Sequence, residues 1–142
     1  MSTYMQGALK SGDGFSEVGD AFGTAVFSQS KLINFDTDLV QEAVFVLPKA
    51  GQMVDIVVDV LTAFNSLTSA TLTVGSASAG TQYAGAVDAK TAGRVRPTFT
   101  AAQLAAMDDI GNNTSVYATI TSDGQPTAGS ARVTLLYTGG LA

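Results

Sequence analysis

Asp55 and Asp59, in the run VDIVVDV over residues 54–60, are the carboxylate pair most worth weighing for acid–base chemistry. Val54, Ile56, Val58 and Val60 alternate along the same run, the mark of a half-buried strand whose successive side chains point to opposite faces. Both aspartates therefore share the other face. Four strand residues separate them by roughly 13 Å, beyond the window of roughly 5–9.5 Å in which paired carboxylates cleave glycosides. Asp36 and Asp38 in NFDTDL lie closer, but beside Thr37 and Asn34 they carry turn chemistry, and the downstream Gly and Glu of a calcium-binding EF-hand loop are missing. Ser28 and Lys31 spell the S-x-x-K of serine acylases, yet that motif needs Ser at a helix start with Lys one turn on, and the flanks here favour strand and turn. GDGFSEVG neither follows a strand nor opens a helix, so it is no phosphate loop. The chain has no His and no Cys, which removes the usual general base, the thiol nucleophile, thiolate zinc sites and disulfides. We expect no enzyme, no metal and no cofactor.

Basic residues are few, and the formal net charge is −5. The one concentration is Lys90, Arg94 and Arg96 in KTAGRVR, with no aromatic residue interleaved. Nucleic acid is not an expected partner, because binding it draws on a clustered basic stripe that neutralises several phosphates. Arg94 and Arg96 are spaced to share a strand face, where they are expected to pair with nearby carboxylates. A secondary expectation gives Lys90, Arg94 and Arg96 a contact with acidic patches of a partner. Sugar binding would ask for aromatic platforms. With no Trp the candidates are Tyr83, Phe99 and Tyr117, and packing is the expected use of each. Only 13% of residues are charged, against an average of about 25%, and interface cores are the surfaces depleted in charge, so an assembly is expected.

The elements that must position these residues are short and mostly extended. Strands are predicted over residues 24–29, 42–47, 53–61, 70–75, 83–87, 94–99, 115–121 and 131–137, with Gly- and Pro-bearing turns between them. Ala70, Leu72 and Val74 face inward, as do Val116, Ala118 and Ile120, and Val133, Leu135 and Tyr137. Residues 100–111 are predicted as a helix, with Thr100 and Gln103 as a capping box and Gly111 as the stop. Asp108 and Asp109 sit at its end, where negative charge opposes the dipole. About eight strands and one helix imply an all-β chain, a jelly-roll or related Greek-key β-sandwich, occupying residues 24–142. Residues 1–23 form an irregular N-terminal arm, rich in Gly, Ser and Asp and carrying Tyr4, Met5, Leu9, Phe15 and Phe22 as isolated apolar anchors. No stretch approaches the roughly 18 apolar residues of a membrane span, and no basic segment followed by an apolar run opens the chain. Synthesis in a cytoplasm without export is expected, and with it no use of NNT at residues 112–114 as a glycosylation site.

Three runs, LPKAGQMVDIVVDVLTAFNS, ATLTVGSASAGTQYAGAVDAKTAGR and VYATITSDGQPTAGSARVTLLY, resemble the small tailed-bacteriophage virion proteins that sit outside the capsid as cement, or decoration, proteins. The resemblance covers roughly residues 30 to 138 and implies a jelly roll that bridges neighbouring major capsid protein subunits and carries no catalytic residues. It also implies self-association, a dimer favoured over a trimer, on the outer surface of a virion made in a host cytoplasm. On that basis Tyr4, Met5, Phe15 and Phe22 are the expected capsid contacts, since aromatic residues and Met are enriched at interface centres. The alternative is a receptor- or glycan-binding head domain of a virion fibre or secreted adhesin, with aromatics and amides gathered in a groove.

Overall fold

Nested antiparallel pairing builds the molecule. The computed structural model describes residues 25–35, 40–112 and 114–139; the arm with Tyr4, Met5, Phe15 and Phe22 and the segment with Asp36 and Asp38 lie outside the described residues. The elements are β1 (Phe27–Asn34), β2 (Val40–Val46), β3 (Gln52–Thr62), β4 (Ala70–Gly75), β5 (Ala84–Asp88), β6 (Gly93–Val95), α1 (Ala101–Asp108), β7 (Ser115–Ser122) and β8 (Ser130–Thr138). β1 pairs with β8, β2 with β7, β3 with β6 and β4 with β5. These are the rungs of one long hairpin rolled up on itself. Rolling adds β3 to β8 and β4 to β7, giving two four-stranded sheets in the orders β1-β8-β3-β6 and β2-β7-β4-β5. This is the expected jelly roll.

Alternation makes the core. Ile56, Val58 and Val60 of β3 and Val133 and Leu135 of β8 face Phe45 of β2, Leu72 and Val74 of β4, and Val116, Ala118 and Ile120 of β7, all buried. Residue types with branched or aromatic side chains suit this pleated, closely packed layer. Tyr83 joins it, and Phe99, Ala106 and Tyr137 pack on its margin.

Most strand ends fall within a residue or two of expectation, and four larger departures have local reasons. Val54 does not face inward: a bulge between Met53 and Asp55 leaves Val54 exposed and turns Met53 into the core. β1 runs over Phe27–Asn34 rather than 24–29, because an edge strand can place Gln29 and Lys31 at inward positions, where Gln29 Nε2 donates to Val46 O across the seam and Lys31 lies over the Phe45 ring. β6 stops at Val95, short of the expected end at 99, and Pro97 is buried just beyond it. α1 ends before Gly111: Asp109 is its C-cap in extended conformation, and Gly111, at φ +61°, serves the turn that follows. The predicted capping box is present, with Thr100 Oγ1 accepting from Gln103 N at 3.2 Å and Gln103 Oε1 accepting from Thr100 N at 2.9 Å.

Hydrogen bonds tie down both ends of the roll. At one end Asp123 accepts from the backbone of Thr68 and Ser69 and from the Thr68 hydroxyl, while Asn65 Oδ1 accepts from Thr127 N and Ala128 N. At the other, Gln103 Nε2 donates to Thr81 O, Gln52 Nε2 donates to Asp108 Oδ1, and Asp109 Oδ1 accepts from Gly111 N. The two helix-end aspartates are thus absorbed by local bonds. On the outside of the second sheet the β4–β5 connection folds back, so that Ala79 N donates to the fully buried Thr119 Oγ1 at 3.0 Å.

Gly129, which leads into β8, has φ +153°, and a Cβ placed there would meet the Phe64 ring at 2.5 Å. Gly129→Ala should cost about 1–3 kcal/mol through strain and overpacking. Chemical denaturation checks this, and an unchanged midpoint would contradict it.

Candidate functional site

The outer face of the first sheet carries the most organised charge among the described residues. Register places Asp59 of β3 directly between Arg132 of β8 and Arg94 of β6, and Leu32 of β1 directly opposite Arg132. One row, Leu32–Arg132–Asp59–Arg94, therefore crosses all four strands. Arg94 grips Asp59 side-on, donating from Nε to Oδ1 at 2.6 Å and from Nη2 to Oδ2 at 3.2 Å, and Arg132 Nη2 donates to Oδ2 at 2.9 Å. Paired donors in a planar fork fix orientation as well as distance. Along the strand, Asp55 Oδ2 lies 3.4 Å from Arg96 Nε and Asp55 Oδ1 accepts from Ile56 N at 2.8 Å. The expectation that Arg94 and Arg96 pair with nearby carboxylates is met.

Solvent reaches the two signs unequally. The Asp59 side chain is only 10% exposed, whereas the Arg94 and Arg96 side chains are 67% and 69% exposed. The Arg94 guanidinium, and after it Arg132, holds the Asp59 carboxyl at about 2, and Asp59 in turn raises Arg94. A carboxylate so stabilised is a poor general base near neutrality. What the arrangement offers instead is three guanidiniums held over two carboxylates, a positive patch in a chain of net charge −5. The second sheet's exterior differs, with Glu42 and Asp88 among Thr71, Thr73 and Thr121.

The structure separates residues that proximity in sequence suggested together. Lys90 stands apart from the ladder: its Nζ donates to Ser66 O at 2.7 Å and so holds the β3–β4 connection. Ser28 and Lys31 fall on opposite faces of β1, as residues three apart on a strand must, so no acylase pair forms. Tyr83 is buried, Phe99 packs against the core and Tyr117 is half-buried, in keeping with packing roles. Arg132 was not among the candidates. Its outward phase within ARVTLLY was visible, but its partnership with Asp59 depends on β8 lying beside β3.

No family model and no curated protein matches the chain. Among solved structures, a chain in the capsid of Ralstonia phage GP4 has a similar fold, with TM-score 0.58 and 18% identity over 90% of this chain and 92% of that one. At that identity the likeness is one of fold.

The ladder carries a pH signature. Asp59 and Asp123 both sit at about 2 in the folded state, below the ordinary 3.8, so the native protein binds fewer protons than the unfolded chain between those values. Their contribution is complete above 3.8 and is lost as pH falls toward about 2. Asp59→Asn should lower Tm at neutral pH and flatten its fall below pH ~4. Thermal unfolding across that range measures both effects, and parallel wild-type and variant curves would count against the ladder as a stabilising element.

Proposed function

We propose that the chain is a structural protein of a phage virion, a cement protein that binds the outside of the capsid and bridges neighbouring major capsid protein subunits. The observation that carries the proposal is the jelly roll shared with a chain in the capsid of Ralstonia phage GP4 over nine-tenths of both chains. The residues of the first sheet's exterior add to it. Guanidiniums already paired on Arg94, Arg96 and Arg132 suit an acidic patch on a capsid subunit, because side chains partly ordered beforehand lose less entropy on binding.

The work of such a protein is mass action. A protein that binds the assembled lattice and not its separated parts stabilises the lattice by RT ln(1 + [L]/Kd), about 4 kcal/mol per site at a thousandfold excess over Kd. Rigidity serves this end, and no bond need be broken. Residues 24–142 form the rigid body in this proposal, and residues 1–23 the arm that seats Tyr4, Met5, Phe15 and Phe22 on the shell. Lys90, already holding Ser66 O, acts indirectly by keeping its loop in place. The protein is made in the host cytoplasm and resides on the outer surface of the finished particle.

Purified particles should contain the chain at a fixed ratio to the major capsid subunit; particles lacking it would overturn the proposal. Deleting residues 1–20 should leave the fold intact and weaken affinity for capsids tenfold or more, about the 1.4 kcal/mol that one good anchor contributes, read as occupancy at protein concentrations near Kd. Unchanged occupancy would remove the arm from the mechanism.

A further inference from the structure

We infer that the arginine face of the first sheet is covered, in the free protein, by the acidic half of the chain's own arm, residues 12–23. The face suits such an occupant. The Arg94, Arg96 and Arg132 side chains are 67%, 69% and 45% exposed, while those of Asp55 and Asp59 are 23% and 10% exposed, so the surface presented outward is cationic. Half-exposed Leu32 lies directly across from Arg132, and half-exposed Leu61 follows Asp59 on β3, which puts apolar ground beside the guanidiniums. The matching segment is anionic, with apolar side chains between its charges.

Residues 12–23, GDGFSEVGDAFG, have that composition. Asp13, Glu17 and Asp20 stand with no basic residue among them, and Phe15, Val18 and Phe22 are interleaved. Opposite charge draws such a segment to one surface in preference to others. The other basic groups among the described residues are engaged or isolated. Lys31 lies over the Phe45 ring, Lys90 holds Ser66 O, and Lys49 stands alone in the turn closed by Gly51 N on Pro48 O. Asp36 and Asp38 belong to the link that carries the chain off the first sheet to β2 in the second.

The tether is long enough. The described chain begins at Ala25, next to the start of β1, and Leu32 of the arginine row lies further along that strand. A chain doubling back over the sheet from Ala25 must cover about 24 Å to reach Arg132, and the eight residues back to Glu17 span about 26–29 Å. The Asp55–Arg96 pair is about 14 Å from Ala25, and the five residues back to Asp20 span about 17 Å. A tethered segment meets its own sheet at an effective concentration on the order of 1 mM, so a contact too weak to hold a free peptide suffices. An acidic patch on another protein must displace the arm from this face, and in doing so it frees Phe15 and Phe22 for contact. That the displacing patch belongs to a capsid subunit rests on the virion proposal; the arm's own contact does not.

Nuclear magnetic resonance on the full chain tests this. The chain has no Cys, so Ser16→Cys places a single nitroxide label between Phe15 and Glu17. The Nε–H signals of Arg94, Arg96 and Arg132 should lose intensity by paramagnetic broadening, and the amides of Thr71 and Thr121 on the second sheet should keep theirs. Combining Asp13→Asn, Glu17→Gln and Asp20→Asn should restore the arginine signals, as should about 1 M NaCl, where the screening length is ~3 Å. Without a label, the same Nε–H signals should shift between the wild type and the triple acid variant, so the test stands even if the nitroxide disturbs the arm. Labelled protein mixed with isotopically enriched, unlabelled protein should broaden nothing, since the contact lies within one chain. Arginine signals unmoved in both measurements, broadening that survives the acid replacements, or broadening passed between molecules would overturn the inference. An arm seated on its own face in a protein absent from particles would sink only the virion proposal. Particles holding a protein whose arginines ignore its arm would sink only this inference.

Discussion

The pairing of β3 with β8 is the joint from which the rest of the sandwich hangs. It lies at the centre of the first sheet, and β1 and β6 can dock only once its two outer edges exist. On its inner side it supplies Ile56, Val58, Val60, Val133 and Leu135 to the core; on its outer side it brings Asp59 to Arg132. β3 has 11 residues and β8 has 9, and the excess is taken up by bulges at Val54 and Leu61. Both bulged side chains are about half exposed, so the mismatch is absorbed without disturbing the inner alternation.

The same joint explains how charges of opposite sign come to be interlocked on the outer face of the first sheet. The Arg94 and Arg96 side chains are two-thirds open to solvent, which screens their pairs, so the ladder's contribution to stability is modest. Its value is positional. Asp59, sheltered between two arginines, fixes guanidiniums that would otherwise sweep through many rotamers. The second sheet has no such device among the described residues, and its exterior is dressed largely in threonine.

How far the sequence foretold this differs by element. Strands with strict alternation, such as Ala70–Gly75 and Ser115–Ser122, were evident because both faces obey one period. The helix start was evident because Thr100 and Gln103 satisfy local backbone groups and need no distant partner. β1 was misplaced because its polar inward residues, Gln29 and Lys31, make sense only beside Val46, Tyr137 and Phe45, and those neighbours come from tertiary structure. The bulge at Val54 escaped notice for a like reason: a run of valines keeps period two on paper, and only the length of β8 reveals that one residue must be skipped. At the site, Arg94 and Arg96 were recognisable as a face, Arg132 was recognisable as outward, and their union on one sheet was not, since strand order is a property of the whole chain.

Nesting also governs how the chain comes together. Each rung of the rolled hairpin closes a longer loop than the one inside it, with β4 and β5 innermost and β1 and β8 outermost. Loop closure must precede the contacts that reward it, which places such topologies among the slow folders, on the order of milliseconds to seconds. On the ribosome β1 emerges about a hundred residues ahead of its partner β8, so Phe27, Leu32 and the amides beside them wait while that length is made. That delay gives Lys31 a second use. A charge in the middle of an early, unpaired strand limits the registers in which nascent chains can zip onto one another before β8 arrives.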